Sequence, residues 1–140
     1  MTNQKENEIS QLLIELYEKT SAWEHAVVKE SGLSPAQMHA VEIVGHHEKL
    51  RMKELANKMG ITTGTLTVMV DRLEKKGLVN REPHPTDRRS YIIVLTDLGR
   101  EHFHEHDHMH NLLTTKLTAP FKGDEIDRLK VYLERLVHQF

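Results

Sequence analysis

Five histidines stand at alternate positions, His102, His104, His106, His108 and His110, in a stretch whose flanks carry the apolar spacing of a long helix. A helix advances about 100° per residue, so His102, His106 and His110 stack one turn apart along one side. That side also carries Leu98, Met109, Leu112, Leu113 and Leu117, which makes it the inward face, with His110 at its edge. Imidazoles four residues apart on an inward face can grip one divalent cation, and one or two ligands from another element complete a tetrahedral site. His104 and His108, on the opposite side, read as a solvated polar face.

Cysteine is absent from the 140 residues, so any metal site here is built from nitrogen and oxygen ligands, and thiolate chemistry is excluded. No apolar run approaches the length of a membrane span, and Met1 to Glu8 is polar where a signal peptide needs apolar residues, so a cytoplasmic protein is expected. The net charge of −2 hides an uneven distribution. Nine Lys or Arg against five acids between Arg51 and Tyr91 give +4, leaving −6 for the rest. A basic middle between acidic ends points to one segment that meets phosphate and two that do not.

The elements that position these residues are mostly helices. Ile9, Leu12, Leu13, Leu16 and Tyr17, continued by Ala22, Trp23, Ala26 and Val27, predict a first helix ending at Ser31-Gly32. Ser34-Pro35 opens a second, with Met38, Val41, Ile43 and Val44 apolar and Gly45 as its end. Met52 to Met59 reads as a short helix. Thr62 to Lys76 follows, with Leu66, Met69, Val70 and Leu73 inward and Gly77 as its stop. The period then changes to alternation. Leu78 to Arg81 and Tyr91 to Leu95 predict a hairpin joined through Pro83, Pro85, Thr86 and Asp87. Thr96 caps the histidine-bearing helix, Leu117 to Pro120 breaks it, and Ile126, Leu129, Leu133, Leu136 and Val137 mark a last helix from about Gly123.

Helix, short helix, helix and β-hairpin within a basic middle make a winged helix–turn–helix, a mainly α fold with a small β-hairpin wing. Its second helix enters the major groove with its N-terminal residues against base edges. The exposed candidates there are Thr62, Thr63, Thr65 and Thr67, with Arg72 further along; threonines also serve as plain caps and surface residues. Gly64, which weakens the helix, is suited to close approach to a backbone phosphate. At the hairpin tip, Arg88 and Arg89 can enter a narrowed minor groove, with Asp87 orienting them.

With Gly77-Leu78-Val79, Asp87-Arg88-Arg89-Ser90 and Leu95-Thr96-Asp97-Leu98-Gly99 in place, the chain resembles the MarR family of regulators over its whole length. The resemblance implies a homodimer packed through N- and C-terminal helices (residues 1–34 and 97–140), with the winged domain (35–96) on a pseudo-palindromic double-stranded operator. Leu12, Leu13, Leu16, Leu129, Leu133, Leu136, Val137 and Phe140 independently exceed what a small winged domain can bury itself. Within the family the chain is similar to zinc-responsive repressors of zinc-uptake genes. That similarity implies a zinc site of Glu24, His39, His106 and His110, with His25, His102, Glu42 and Glu105 as possible substitutes. The second metal site of that group uses a cysteine. Here it is lost or rebuilt from groups such as Glu105 and Glu42.

Two regulatory readings follow, and one enzymatic one. In the first, zinc is a co-repressor whose binding favours the DNA-competent dimer. The alternative replaces the ion with a small phenolic ligand, in a pocket lined by Trp23, His39 and His106, that releases DNA. An enzyme is the weakest class, because no nucleophile, glycine-rich loop or general-base motif accompanies the histidines.

Overall fold

The computed structural model describes residues 3–140. Six helices and three short strands follow in the order α1 (Gln4–Val28), a 3-10 turn (Lys29–Ser31), α2 (Pro35–His47), β1 (Leu50–Arg51), α3 (Met52–Met59) and α4 (Thr63–Lys75), then β2 (Val79–Pro83), β3 (Tyr91–Leu95), α5 (Asp97–Thr118) and α6 (Gly123–Val137). The fold is mostly helical with a three-stranded antiparallel sheet ordered β1-β3-β2. Val79 lies opposite Leu95 and Pro83 opposite Tyr91, so the hairpin is the wing expected from the change of period. Strand β1 was not expected: two residues are too short to show alternation, and β1 exists because Leu50 and Arg51 pair with Ile93 and Ile92.

Helix starts follow local chemistry. The Asn3 side chain accepts from the Glu6 amide at 2.9 Å and the Glu6 carboxylate accepts from the Asn3 amide at 3.1 Å. Ser34 and Gln37 repeat this reciprocal capping at 3.1 Å in each direction, ahead of Pro35 at the first helical position. Gly77, with φ +74°, takes the left-handed turn that ends α4.

Helix α2 does not stop at Gly45. It runs through that glycine to His47, because the residue answers to packing: a Cβ there would lie 2.3 Å from the Phe103 ring. Gly99 explains the Leu95–Gly99 signature in the same way, since a Cβ would come 2.1 Å from the Leu78 carbonyl oxygen. The first turn of α5 therefore sits directly on the chain leaving α4. Thr96 holds it there, donating to the Gly77 carbonyl at 2.6 Å and accepting from the Gly99 amide at 3.0 Å.

Contacts divide the chain into two compact units, one ending at Glu105 and one spanning His106–Phe140. The core belongs to the first: Val28, Met38, Val41, Val44, Leu50, Leu55, Leu66, Val70, Leu73, Leu78, Val79 and Ile93 are buried. Each such aliphatic side chain contributes about 1.5–3 kcal/mol through removal from water. In the second unit α6 buries none of its residues.

Candidate nucleic-acid interface and metal ligands

Helix α4 is set by both ends and one flank. Its cap is Thr62, which accepts from the Thr65 amide at 3.1 Å and donates to the Thr65 hydroxyl at 3.0 Å. The Thr67 hydroxyl turns back onto the Thr63 carbonyl at 2.8 Å. Three of the four expected groove threonines thus shape the helix start that their methyl groups and hydroxyls present to solvent. Thr62, Thr63, Thr65, Thr67 and Arg72 are all exposed, and a Cβ at Gly64 would meet the Thr62 hydroxyl at an ordinary contact distance of 3.9 Å. At the far end, the Lys76 ammonium donates to the Gly32 carbonyl at 2.8 Å and to Gln37 Oε1 at 3.3 Å. Arg81 of β2 bridges Asp71 and Glu74, fastening the wing to the flank of α4. No sequence signal foretold that clamp, because the turn at Gly77 sets how β2 returns along α4.

The wing loop is a closed polar network. Asp87 Oδ1 accepts from the Arg89 amide at 3.0 Å and Oδ2 from the Ser90 hydroxyl at 2.9 Å. The expected orienting role of Asp87 is thus exercised on the Arg89 backbone, while Arg88 and Arg89 are exposed. The Arg89 amide bond and then the Ser90 hydroxyl hold the Asp87 carboxyl below its ordinary value of 3.8, assisted by the charges of Arg51 and His84. His84 closes the loop from the other side. Its Nδ1 lies 3.0 Å from the Asp87 amide and 3.2 Å from the Thr86 amide, and its own amide donates to the Ser90 carbonyl at 3.1 Å. Arg51 approaches His84 Nε2 with Nη2 at 2.6 Å. Neither Arg51 nor His84 was singled out by spacing.

The candidate metal ligands fall into two pairs, one in each unit. In the first unit, Glu24 of α1 and Glu42 of α2, both half-buried, bring carboxylate oxygens within 4.8 Å of each other. In the second, His106 and His110 of α5 bring their Nε2 atoms to 3.1 Å with ring centroids 4.7 Å apart. His106 is only 3% exposed, and His110 is half-buried. Of the expected set, His39 is exposed on α2 and is not the residue paired with Glu24; Glu42, named as a substitute, is. Among the other substitutes, His25 is exposed with Nδ1 2.8 Å from the Ser21 carbonyl, Glu105 is exposed and His102 is half-buried. His104 and His108 face solvent, as the wheel requires.

A separate cleft of about 440 Å³ lies in the first unit, between the end of α2, strand β3 and the start of α5. Val44, Glu48, Lys49, Val94, Arg100 and Phe103 line it, and Trp23, His39 and His106, expected around a phenolic ligand, do not. No helix among the described residues is long and apolar enough to cross a membrane.

The MarR family model matches residues 33–91, from the residue before the α2 cap to the first residue of β3. The HTH-type transcriptional regulator YcgE of Bacillus subtilis is 32% identical over 105 residues, covering 72% of this chain and 68% of that protein. A MarR family protein from Bacillus stearothermophilus has a TM-score of 0.89 at 24% identity, covering 99% of this chain and 97% of that one. FabT of Streptococcus pneumoniae, solved in complex with DNA, has a TM-score of 0.84 at 22% identity and 94% coverage of both chains. These two structures establish the fold. The family match and the relative together carry the assignment: the chain belongs to the MarR family and is a winged helix–turn–helix DNA-binding transcriptional regulator rather than an enzyme.

Proposed function

We propose that this regulator is a zinc-responsive repressor, acting as a homodimer on a pseudo-palindromic operator with the ion as co-repressor. The first turn of α4, carrying Thr62, Thr63, Thr65 and Thr67, meets base edges in the major groove, and Arg72 contacts the backbone. Arg88 and Arg89 approach the adjacent minor groove from the wing. The second copy covers the exposed apolar residues of the terminal helices, among them Leu12 and Leu16 of α1 and Leu133 and Leu136 of α6.

The observation that carries the metal reading is the α5 pair: two imidazoles at helical spacing, Nε2 atoms 3.1 Å apart, one of them buried. In the first unit Glu24 and Glu42 bring carboxylate oxygens together, with Glu42 in the α2 place that the family resemblance assigns to His39. Two carboxylates at this separation repel by about 1 kcal/mol in water and more at lower dielectric, a cost that a divalent cation reverses. In the second unit His106 and His110 offer two nitrogen donors of the type zinc takes and would hold the ion there.

The test uses an operator selected from a random duplex pool and protein first stripped with chelator, at fixed salt because salt alone shifts such affinities. Zinc is expected to tighten binding roughly 5- to 150-fold, and His106→Ala with His110→Ala to abolish the response. An unchanged binding curve overturns the co-repressor reading. The 440 Å³ cleft favours a second reading, because its volume suits a small aromatic acid and Lys49 and Arg100 suit a carboxylate. Under that reading zinc leaves the curve unmoved and an aromatic acid weakens binding.

A further inference from the structure

We infer that Arg51 and His84 form a seat for a backbone phosphate of duplex DNA at the base of the wing. Two backbone amides, of Thr86 and Asp87, point at His84 Nδ1 from 3.2 and 3.0 Å, and amides only donate, so Nδ1 is the bare acceptor nitrogen. In the neutral ring the proton then sits on Nε2. Facing that N–H at 2.6 Å is Arg51 Nη2, a group with donors and no acceptor. Exchanging the tautomer moves the conflict to Nδ1, where it meets two amides instead of one guanidinium. Two donors therefore converge on one point, and an anionic oxygen placed between them accepts from both once the exposed Arg51 side chain swings outward.

The surroundings select phosphate on a duplex. Arg51 is held in β1 opposite Ile92 of β3, so the seat lies where the wing leaves the sheet. Arg51 also stands at the cap position of α3, an eight-residue helix whose start no side chain caps. Arg88 and Arg89 extend the positive charge along the loop. Two carboxylates oppose it. Glu54 lies 3.9 Å from Arg51 Nε in a single weak pairing, and both Asp87 oxygens are already occupied by Arg89 and Ser90. His84 thus has two jobs, with Nδ1 setting the loop that presents the wing arginines and Nε2 meeting the phosphate.

This inference rests on the wing meeting DNA, and the test separates the two. The full chain is titrated with a labelled duplex of mixed sequence over a series of chloride concentrations, since phosphate contacts are read by the salt slope independently of sequence. Arg51→Gln is expected to lower the slope by about 1 per bound chain and to weaken binding roughly tenfold, the size of one charge-assisted hydrogen bond. Arg51→Lys keeps the charge and restores the slope. His84→Asn keeps an acceptor for the loop amides and removes only the outer donor. It is expected to retain the melting temperature while weakening binding, and to add little to Arg51→Gln in the double variant. Lys130→Gln, on α6, leaves the slope unchanged. An unaltered slope and affinity in folded Arg51→Gln overturns the seat, as does an unweakened His84→Asn should Arg51→Gln fail to fold. A wild-type chain without salt-dependent duplex binding overturns the seat and the wing contact together.

Discussion

Helices α4 and α6 have similar lengths, 13 and 15 residues, and both carry an apolar stripe at helical spacing, yet one buries its stripe and the other does not. In α4, Leu66, Val70 and Leu73 are almost wholly removed from water by the rest of the chain, and the polar face left over is the one rich in threonine. In α6, Leu133 and Leu136 are each 47% exposed and Val137 is 68% exposed. The difference teaches that an amphipathic pattern specifies a helix and a face, while the available neighbours decide what covers that face. Where the chain supplies the cover, the outer face is free for DNA. Where it does not, the apolar face is left for a partner, and under the function proposed above that partner is a second copy of the chain.

The comparison breaks most easily at α4. Leu66→Ala opens a cavity in the core and is expected to cost about 2–5 kcal/mol of unfolding free energy, independent of protein concentration, measured by urea denaturation. A cost below that range would mean the α4 stripe is not the buried one. Leu133→Gln with Leu136→Gln sharpens the other side. Chain unfolding measured at low concentration should change by roughly 0.5 kcal/mol per site or less, while self-association followed by sedimentation weakens by about 2 kcal/mol, near thirtyfold. An unchanged sedimentation profile would remove α6 from the interface. The smallest effect belongs to the wing. Because the Asp87 carboxyl is held below 3.8, its contribution to loop order is complete above that pH and is lost as pH falls through the lower folded-state value. The Arg89 amide resonance should therefore titrate with a midpoint below 3.8; a midpoint at 3.8 would show that the turn does not hold the carboxylate.

Elements with a clear period or a capping residue are legible in the sequence. Ser34-Pro35, Thr62, Gly77 and Thr96 mark real ends, and the switch to alternation after Gly77 marks the real wing. What stayed hidden was set by distant contacts. Gly45 has the composition of a helix stop but serves as the floor beneath Phe103, and β1 draws its existence from Ile92 and Ile93 some forty positions on. The candidate metal ligands divide along the same line. His106 and His110 declare themselves through i, i+4 spacing on an apolar face, whereas the partner of Glu24 on α2 depends on how two helices cross. Residue type favours His39 there, and the packing pairs Glu24 with Glu42. Arg51 and His84 carried no signal in sequence, because only the folded sheet brings them together, and Arg81 carried none because the turn after α4 decides which face of the helix β2 meets.

Zinc and DNA, if they are coupled through this chain, must be coupled in both directions by the same factor. The direct test is the zinc dissociation constant of the full chain, measured against a competing chromophoric chelator with and without saturating operator duplex at one salt concentration. The account predicts tighter zinc binding in the presence of operator, by the same factor that zinc tightens operator binding. Equal zinc affinity with and without the duplex would contradict it.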